Sequence, residues 1–267
     1  MIQTSKLVKG ITGIGERAIE FVRYIGSISI FSCEIAFWIL HPPFRIRQAI
    51  KQAEKIGVSS LPIVSLISLF TGMVLALQSA YQMQKVQAEV YLASLVALSM
   101  IRELGPVLTA LIVAGRCGAA ITAEIGTMKV TEQIDALETM ATNPINFLVV
   151  PKLWALVISL VMLTIYADFV GIIGGYIVGV YKLHIPHHMY MKMTFDPLSQ
   201  GDVRNGLYKS LMFAVIICII SCFEGMRAKG GAEGVGRATT ASVVRSFVLV
   251  ISANCILTAF MYFIGRR

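Results

Sequence analysis

The sequence predicts an all-α integral membrane protein with five transmembrane helices, an N-terminal amphipathic interfacial helix and a short helix on the cytoplasmic side. Three observations carry that expectation. Hydrophobic residues make up 56% of the 267 and charged residues only 14%, more apolar material than one water-soluble core can bury. Charge-free stretches recur at the roughly 20-residue length that a bilayer core of about 30 Å requires. The basic residues behind the formal charge of +8 fall mostly between those stretches and near the N-terminus, where orientation signals and lipid headgroups account for them better than nucleic acid does.

Residues 1–23 set Lys6, Lys9, Arg17 and Arg23 among Ile11, Ile14, Ile19, Phe21 and Val22, a basic amphipathic pattern suited to a membrane surface. The run YIGSISIFSCEIAFWIL at 24–40 contains Glu34 and ends at HPPF, so it reads as an interfacial or partly inserted helix. No cleavable signal is expected, because this first apolar run lies far from the start and has no small-residue cleavage site. Arg45, Arg47, Lys51 and Lys55 follow, and by the positive-inside rule the N-terminus is cytoplasmic. Residues 1–57 thus form an interfacial segment ahead of a membrane domain at 58–267.

Span 1 is expected at 58–84 and span 2 at 90–115, after which residues 116–144 are polar enough to leave the membrane on the cytoplasmic side. Span 3, at 153–181, is interrupted only by Asp168 and carries Gly171, Gly175 and Gly179 on one face, a spacing that favours close helix packing in lipid. Spans 4 and 5, at 206–226 and 246–264, bracket an inside loop with Arg227, Lys229, Arg237 and Arg245, which leaves the C-terminus periplasmic. No internal repeat is visible, which weakens a secondary-transporter reading. Cys33, Cys117, Cys218, Cys222 and Cys255 lie in or beside apolar runs without metal-ligand spacing, and read as small buried hydrophobes.

Three segments carry chemistry. Arg102 and Glu103 fall at the midpoint of span 2, where a charge costs at least about 2.5–3.5 kcal/mol, so each must face protein or a wet cavity. Neighbours on a helix point about 100° apart and cannot easily satisfy only each other, so at least one needs another partner. The pair either lines a polar pocket or ties helices together. In residues 127–144, Val130, Ile134, Leu137 and Ala141 recur at helical spacing while Lys129, Glu132, Asp135 and Glu138 lie elsewhere, an amphipathic helix over 127–142 that Asn143-Pro144 ends. Its polar face is mainly acidic, which favours docking to a cytoplasmic protein over floating on lipid. GGAEGVGRATT at 230–240 has the glycine spacing of a phosphate loop, but Arg237 and Ala238 stand where Lys and Ser/Thr are needed. ATP-driven work therefore needs a separate subunit. His184, His187 and His188 lack Cys or carboxylate at ligand spacing, so no metal is expected.

The stretch RELGPVLTALIVAGRCGAAITAEIGTMKVTEQIDALETM closely resembles the signature of MlaE-type permeases, the membrane subunits of ABC transporters for phospholipids and other lipids, as do FTGMVLALQ at 70–78 and GRATT at 236–240. The likeness covers roughly 58–264. It implies a multi-pass homodimer in the inner membrane of a bacterium with two membranes, serving lipid asymmetry of the outer one. Its partners would be two ABC ATPase subunits, a periplasmic MCE-domain protein and a small STAS-like cytoplasmic subunit. The chain itself would bind no cofactor, with ATP and Mg on the ATPase, and would not be an enzyme. The segment at 127–142 would be the coupling helix, with Lys129, Val130, Glu132, Gln133, Ile134, Asp135, Leu137 and Glu138 meeting the ATPase. Lipid would occupy a cavity at the dimer interface lined by Leu75, Gln78, Tyr81, Arg102 and Glu103. Tyr81-Gln82-Met83-Gln84 is more polar than the family leads one to expect.

On this reading Arg102 meets a lipid phosphate while Glu103 balances the charge of the empty cavity. The competing function is a proton-coupled carrier using Glu103, Asp168 and Glu224 as an intramembrane relay. An intramembrane hydrolase is disfavoured, since spans 1–5 hold no histidine and the chain has no GxSxG.

Overall fold

The computed structural model describes the backbone of residues 2–42, 45–85 and 88–264, with side chains except at 2–18, 21, 90 and 264. Lys6, Lys9 and Arg17, which define the expected basic face, lie outside the described side chains. The elements are α1 (Ile2–Leu40), α2 (Ile46–Lys85), α3 (Leu92–Val130), α4 (Gln133–Thr139), α5 (Ile145–Lys182), α6 (His187–Phe195), α7 (Gln200–Met226) and α8 (Gly231–Ile264), with no strand among the described residues. Among the described residues six stretches are long and apolar enough to cross a membrane: Val22–Leu40 of α1, then α2, α3, α5, α7 and Gly231–Phe263 of α8.

Nothing between residues 23 and 24 breaks a helix, so the surface and interfacial helices expected separately are one continuous α1. Only 6% of its apolar stretch is buried in the chain. That contact is aromatic: Tyr24 meets Phe223 edge-on at 5.5 Å and Phe31 tilts against the same ring at 5.7 Å. Likewise α2 passes unbroken through the expected boundary at 57/58, so the helix of span 1 starts earlier and carries Arg47, Lys51 and Lys55.

α3 is longer than expected. Residues 116–130 stay helical because their polar groups find partners in the chain: Arg116 donates to Ser60 Oγ at 3.3 Å, Glu124 pairs with Lys152 at 2.8 Å, and Thr122 Oγ1 lies 2.8 Å from Ser242 Oγ. Two π turns, Met100–Leu104 and Ala114–Gly118, loosen the rod without ending it. The amphipathic helix expected over 127–142 is in fact broken. Residues 127–130 close α3, Glu132 turns the chain with φ 61°, and α4 is a separate short helix. Asn143 starts the next helix rather than ending the last, its Oδ1 accepting from the Ile145 and Asn146 backbone N–H groups at 2.8 and 3.3 Å.

α2 and α5 run parallel and cross closely. A Cβ on Gly72 would enter the Gly171 backbone, and one on Gly174 would strike the Leu69 carbonyl. Lipid tails are as apolar as the helices, so packing and buried polar bonds hold the pair; Ser159 donates to the Ala53 carbonyl at 2.9 Å and Ser65 bonds the Tyr166 hydroxyl at 2.8 Å. The expected Gly171/Gly175/Gly179 face serves this crossing only in part. Gly175 and Gly179 instead make room for Tyr190 of α6, which folds back over the C-terminal end of α5 and is 1% exposed. Burial pushes its phenol pKa up. Cys117, Cys218 and Cys222 are buried as expected, whereas Cys33 and Cys255 sit on exposed faces of α1 and α8.

These contacts rank the glycines. Leucine at Gly72 or Gly174 meets backbone and should cost several kcal/mol, enough to lose folded protein from detergent extracts. Leucine at Gly175 meets the Val96 and Tyr190 side chains, and should lower the midpoint of thermal unfolding by a smaller amount. Equal loss at all three positions would show that the crossing does not control assembly.

Candidate functional site

Near the N-terminal ends of α3 and α7 and the C-terminal end of α8 lies a cavity of about 720 Å³, lined by Arg102, Glu103, Ser199, Asp202, Arg204, Asn205, Lys209, Thr258 and Tyr262 among others. Its chemistry starts from a proline. Pro106 has no N–H to give the carbonyl four residues back, which belongs to Arg102. The helix slips into a π turn there, Gly105 N–H bonding the Met100 carbonyl, and Lys209 Nζ donates to the Arg102 carbonyl at 2.9 Å. The same ammonium donates to Glu103 Oε1 at 2.5 Å and to Thr258 Oγ1 at 2.8 Å. Glu103 also accepts from Thr258 Oγ1 at 2.9 Å and from Asn254 Nδ2 at 3.0 Å.

Arg102 turns the other way. Its Nε donates to Asp202 Oδ1 at 2.7 Å, and Asp202 Oδ2 accepts from the Ser199 backbone N–H and hydroxyl at 3.1 and 2.8 Å, closing the capping box that starts α7. Both members of the pair therefore have partners on other helices, as the 100° argument requires. The two cations differ in exposure: the Lys209 side chain is 3% exposed and the Arg102 side chain 54%. Lys209 is a fixture, while Arg102, with only Nε of its five N–H donors committed to Asp202, presents a guanidinium to the cavity. Three cations (Arg102, Arg204, Lys209) against two carboxylates (Glu103, Asp202) leave the lining at net +1. Such a chamber can hold an anionic group.

Sequence reasoning missed Lys209 and Asp202. Their spacing of seven residues, two helical turns, puts them on one face of α7, and that spacing was the available signal. It also placed Arg102 and Glu103 at mid-span, because α3 was taken to stop at 115. With α3 running to Val130, they lie nearer its N-terminal end.

Leu75, Gln78 and Tyr81 do not line this cavity within one chain. Leu75 packs, with Leu104, against the apolar cluster around Tyr190. Gln78 is exposed, and so is Tyr81, with Lys85 Nζ 4.5 Å from its ring centroid. At the other end, Ile134 of α4 is 2% exposed and Leu137 packs on the main core. Of the apolar stripe expected to await a partner, Ile134 and Leu137 are covered by the chain itself, while Ala141 is exposed. Val130 is half-buried, Lys129 pairs with Asp135 at 2.7 Å, and Glu132, Gln133 and Glu138 are exposed.

The carboxylates of a hypothetical relay occupy three separate settings. Glu103 is ion-paired, Glu224 accepts from Tyr24 at 2.7 Å and pairs with Arg245, and Asp168 Oδ1 is buried against Gly105. Among the described residues no hydrogen bond joins them. The phosphate-loop look-alike is helical, Gly231 and Gly236 lying in the first turns of α8. His187 Nδ1 is 2.7 Å from the Tyr176 hydroxyl.

Residues 49–260 match the family described as Permease MlaE. Over 249 residues, covering 93% of this chain and 96% of the relative, the sequence is 46% identical to a probable ABC transporter permease protein of Rickettsia felis. It is 39% identical over 262 residues, 97% of this chain and all of the relative, to the intermembrane phospholipid transport system permease protein MlaE of Haemophilus influenzae. A probable ABC transporter permease protein of Synechocystis is 38% identical over 229 residues, 86% and 87% of the two chains.

The ion-pair geometry predicts strong coupling. Lys209→Met strips Glu103 and the Arg102 carbonyl of their buried donor and should cost roughly 3–5 kcal/mol. The double variant Glu103→Gln/Lys209→Met should recover part of that, read as the midpoint of thermal unfolding. Additive losses would mean that the two side chains act independently.

Proposed function

Because the chain belongs to the MlaE permease family, as a multi-pass inner-membrane ABC transporter permease, we propose that it moves phospholipids between the inner membrane and a periplasmic MCE-domain carrier. A separate ATPase subunit supplies the energy, and ATP and Mg reside there. The observation that carries the reading is the chamber itself. It is a net-positive polar cavity with a half-exposed arginine, set in apolar helices, and a phospholipid phosphate suits it. The separate settings of Glu103, Asp168 and Glu224 favour this over a proton relay.

The finer assignments belong to the same proposal. Residues 1–57 serve as an interfacial segment and 58–267 as the permease domain with five spans, the N-terminus cytoplasmic and the C-terminus periplasmic. A second copy supplies the wall that one chain leaves open, bringing Leu75, Gln78 and Tyr81 toward the lipid. The exposed acidic residues of 127–142 meet the ATPase, and a STAS-like subunit completes the cytoplasmic side.

Two variants test this. Arg102→Ala should lower retained phospholipid, measured by mass spectrometry of the purified complex, and slow transport, while dimer and ATPase remain assembled; dissolution of the dimer without selective lipid loss would make the pair structural. On the opposite side Leu137→Asp is a poor probe, since Leu137 packs on its own core. Glu138→Lys is the better one: reversing an exposed charge at the proposed contact should weaken ATPase copurification by about 10-fold or more while insertion is unchanged. Full ATPase recovery from that variant would remove the coupling assignment.

A further inference from the structure

A second amphiphile-shaped site lies at the opposite end of α2 and α5. Where the two helices part, a groove of about 290 Å³ runs between them, walled by Ile46, Ile50, Val150, Trp154 and Ile158 with Arg45 at its mouth. Ala49, 5% exposed, forms part of its lining, so a chain seated there would leave bulk lipid. Along α5 the lining extends from residue 146 to 158, roughly 18 Å at 1.5 Å per residue, a length that suits an extended acyl chain.

The mouth opens onto a shallow shelf made by Arg45, Ile46, Arg47, Gln48 and Lys51. No carboxylate lines the groove or the shelf. Among the described residues none of these three cations makes an ion pair; Arg45 instead lies 4.3 Å over the Phe147 ring. The groove alone is only an apolar crevice, and the shelf alone only a basic patch. Joined through Arg45 and Ile46, they match a molecule with a hydrocarbon tail and an anionic head. Trp154, 44% exposed at the same level, is the residue type that settles at the headgroup boundary.

We propose that this groove and shelf bind one anionic phospholipid of the cytoplasmic leaflet, an acyl chain between α2 and α5 and the phosphate against Arg45 and Arg47. It is a lipid station separate from the Arg102 cavity. The sidedness rests on the orientation proposed above, but the binding does not depend on transport.

The chain has two tryptophans, so Trp38→Phe leaves Trp154 as the sole reporter. The full-length Trp38→Phe permease is placed in nanodiscs of phosphatidylcholine doped with a minor fraction of brominated-chain phosphatidylglycerol or brominated-chain phosphatidylcholine, and Trp154 quenching is read. The anionic phosphatidylglycerol should quench at roughly fivefold lower mole fraction than the zwitterionic phosphatidylcholine, the preference that about one basic side chain at a headgroup provides. Arg45→Gln/Arg47→Gln, at exposed positions, should erase the preference, and Ala49→Phe should reduce quenching by both lipids. Equal quenching by the two lipids, unchanged in the arginine variant, would mean that Trp154 sees only bulk lipid and would overturn the site. Loss of the preference in inorganic phosphate, against chloride of equal ionic strength, would overturn it too, by showing that the shelf takes free phosphate. Since no step measures transport or ATPase binding, failure here leaves the permease function standing, and failure of that function leaves this result standing.

Discussion

An ammonium group buried among helices must have acceptors for its protons, and Lys209 has three: the Glu103 carboxylate, the Arg102 carbonyl and the Thr258 hydroxyl. One of them exists because Pro106 withholds an N–H. The local defect in α3 thus creates the demand that α7 meets and α8 completes. Removing water from a charge costs several kcal/mol, so these helices cannot separate at that level without exposing the group or leaving it unpaired. The chamber owes its shape to this constraint, and Arg102 is left facing the cavity because Glu103 is committed to Lys209 and Asp202 engages only the arginine Nε.

A different physics holds α2 to α5. There the glycines remove side chains so that backbones meet, and hydroxyls bridge the remaining gaps. Toward the C-terminal end of α5 the spare space of Gly175 and Gly179 is filled by Tyr190. At the basic end, where the glycine contacts stop, the helices part and leave the groove. Close packing and open crevice are two ends of one pair.

The apolar runs and the cost of charge in lipid made most of the helices and the Arg102-Glu103 pair legible, because length and hydropathy act locally. What escaped was set by contacts between distant segments. Residues 116–130 looked polar enough to leave the membrane, yet Ser60, Lys152 and Ser242 supply their partners. Lys209 passed unnoticed inside an apolar run, since nothing local says that a carbonyl a hundred residues earlier lacks a donor. The 127–142 periodicity was real, but periodicity cannot register a reversal such as Glu132 with its positive φ, nor say that Ile134 packs inward on its own chain.

The continuity of α3 has a mechanical consequence. Its 39 residues form a rod of nearly 60 Å, reaching from beside the polar chamber to the turn before α4. A helix is stiff along its axis, so a displacement imposed at Val130 reappears at Arg102 almost undiminished unless something between them gives. The turns at Ala114–Gly118 and at Met100–Leu104, which contains Arg102, are where wider hydrogen-bond rings already let the rod change length or twist. Force applied at one end of α3 thus travels along a stiff shaft with two slip joints in it.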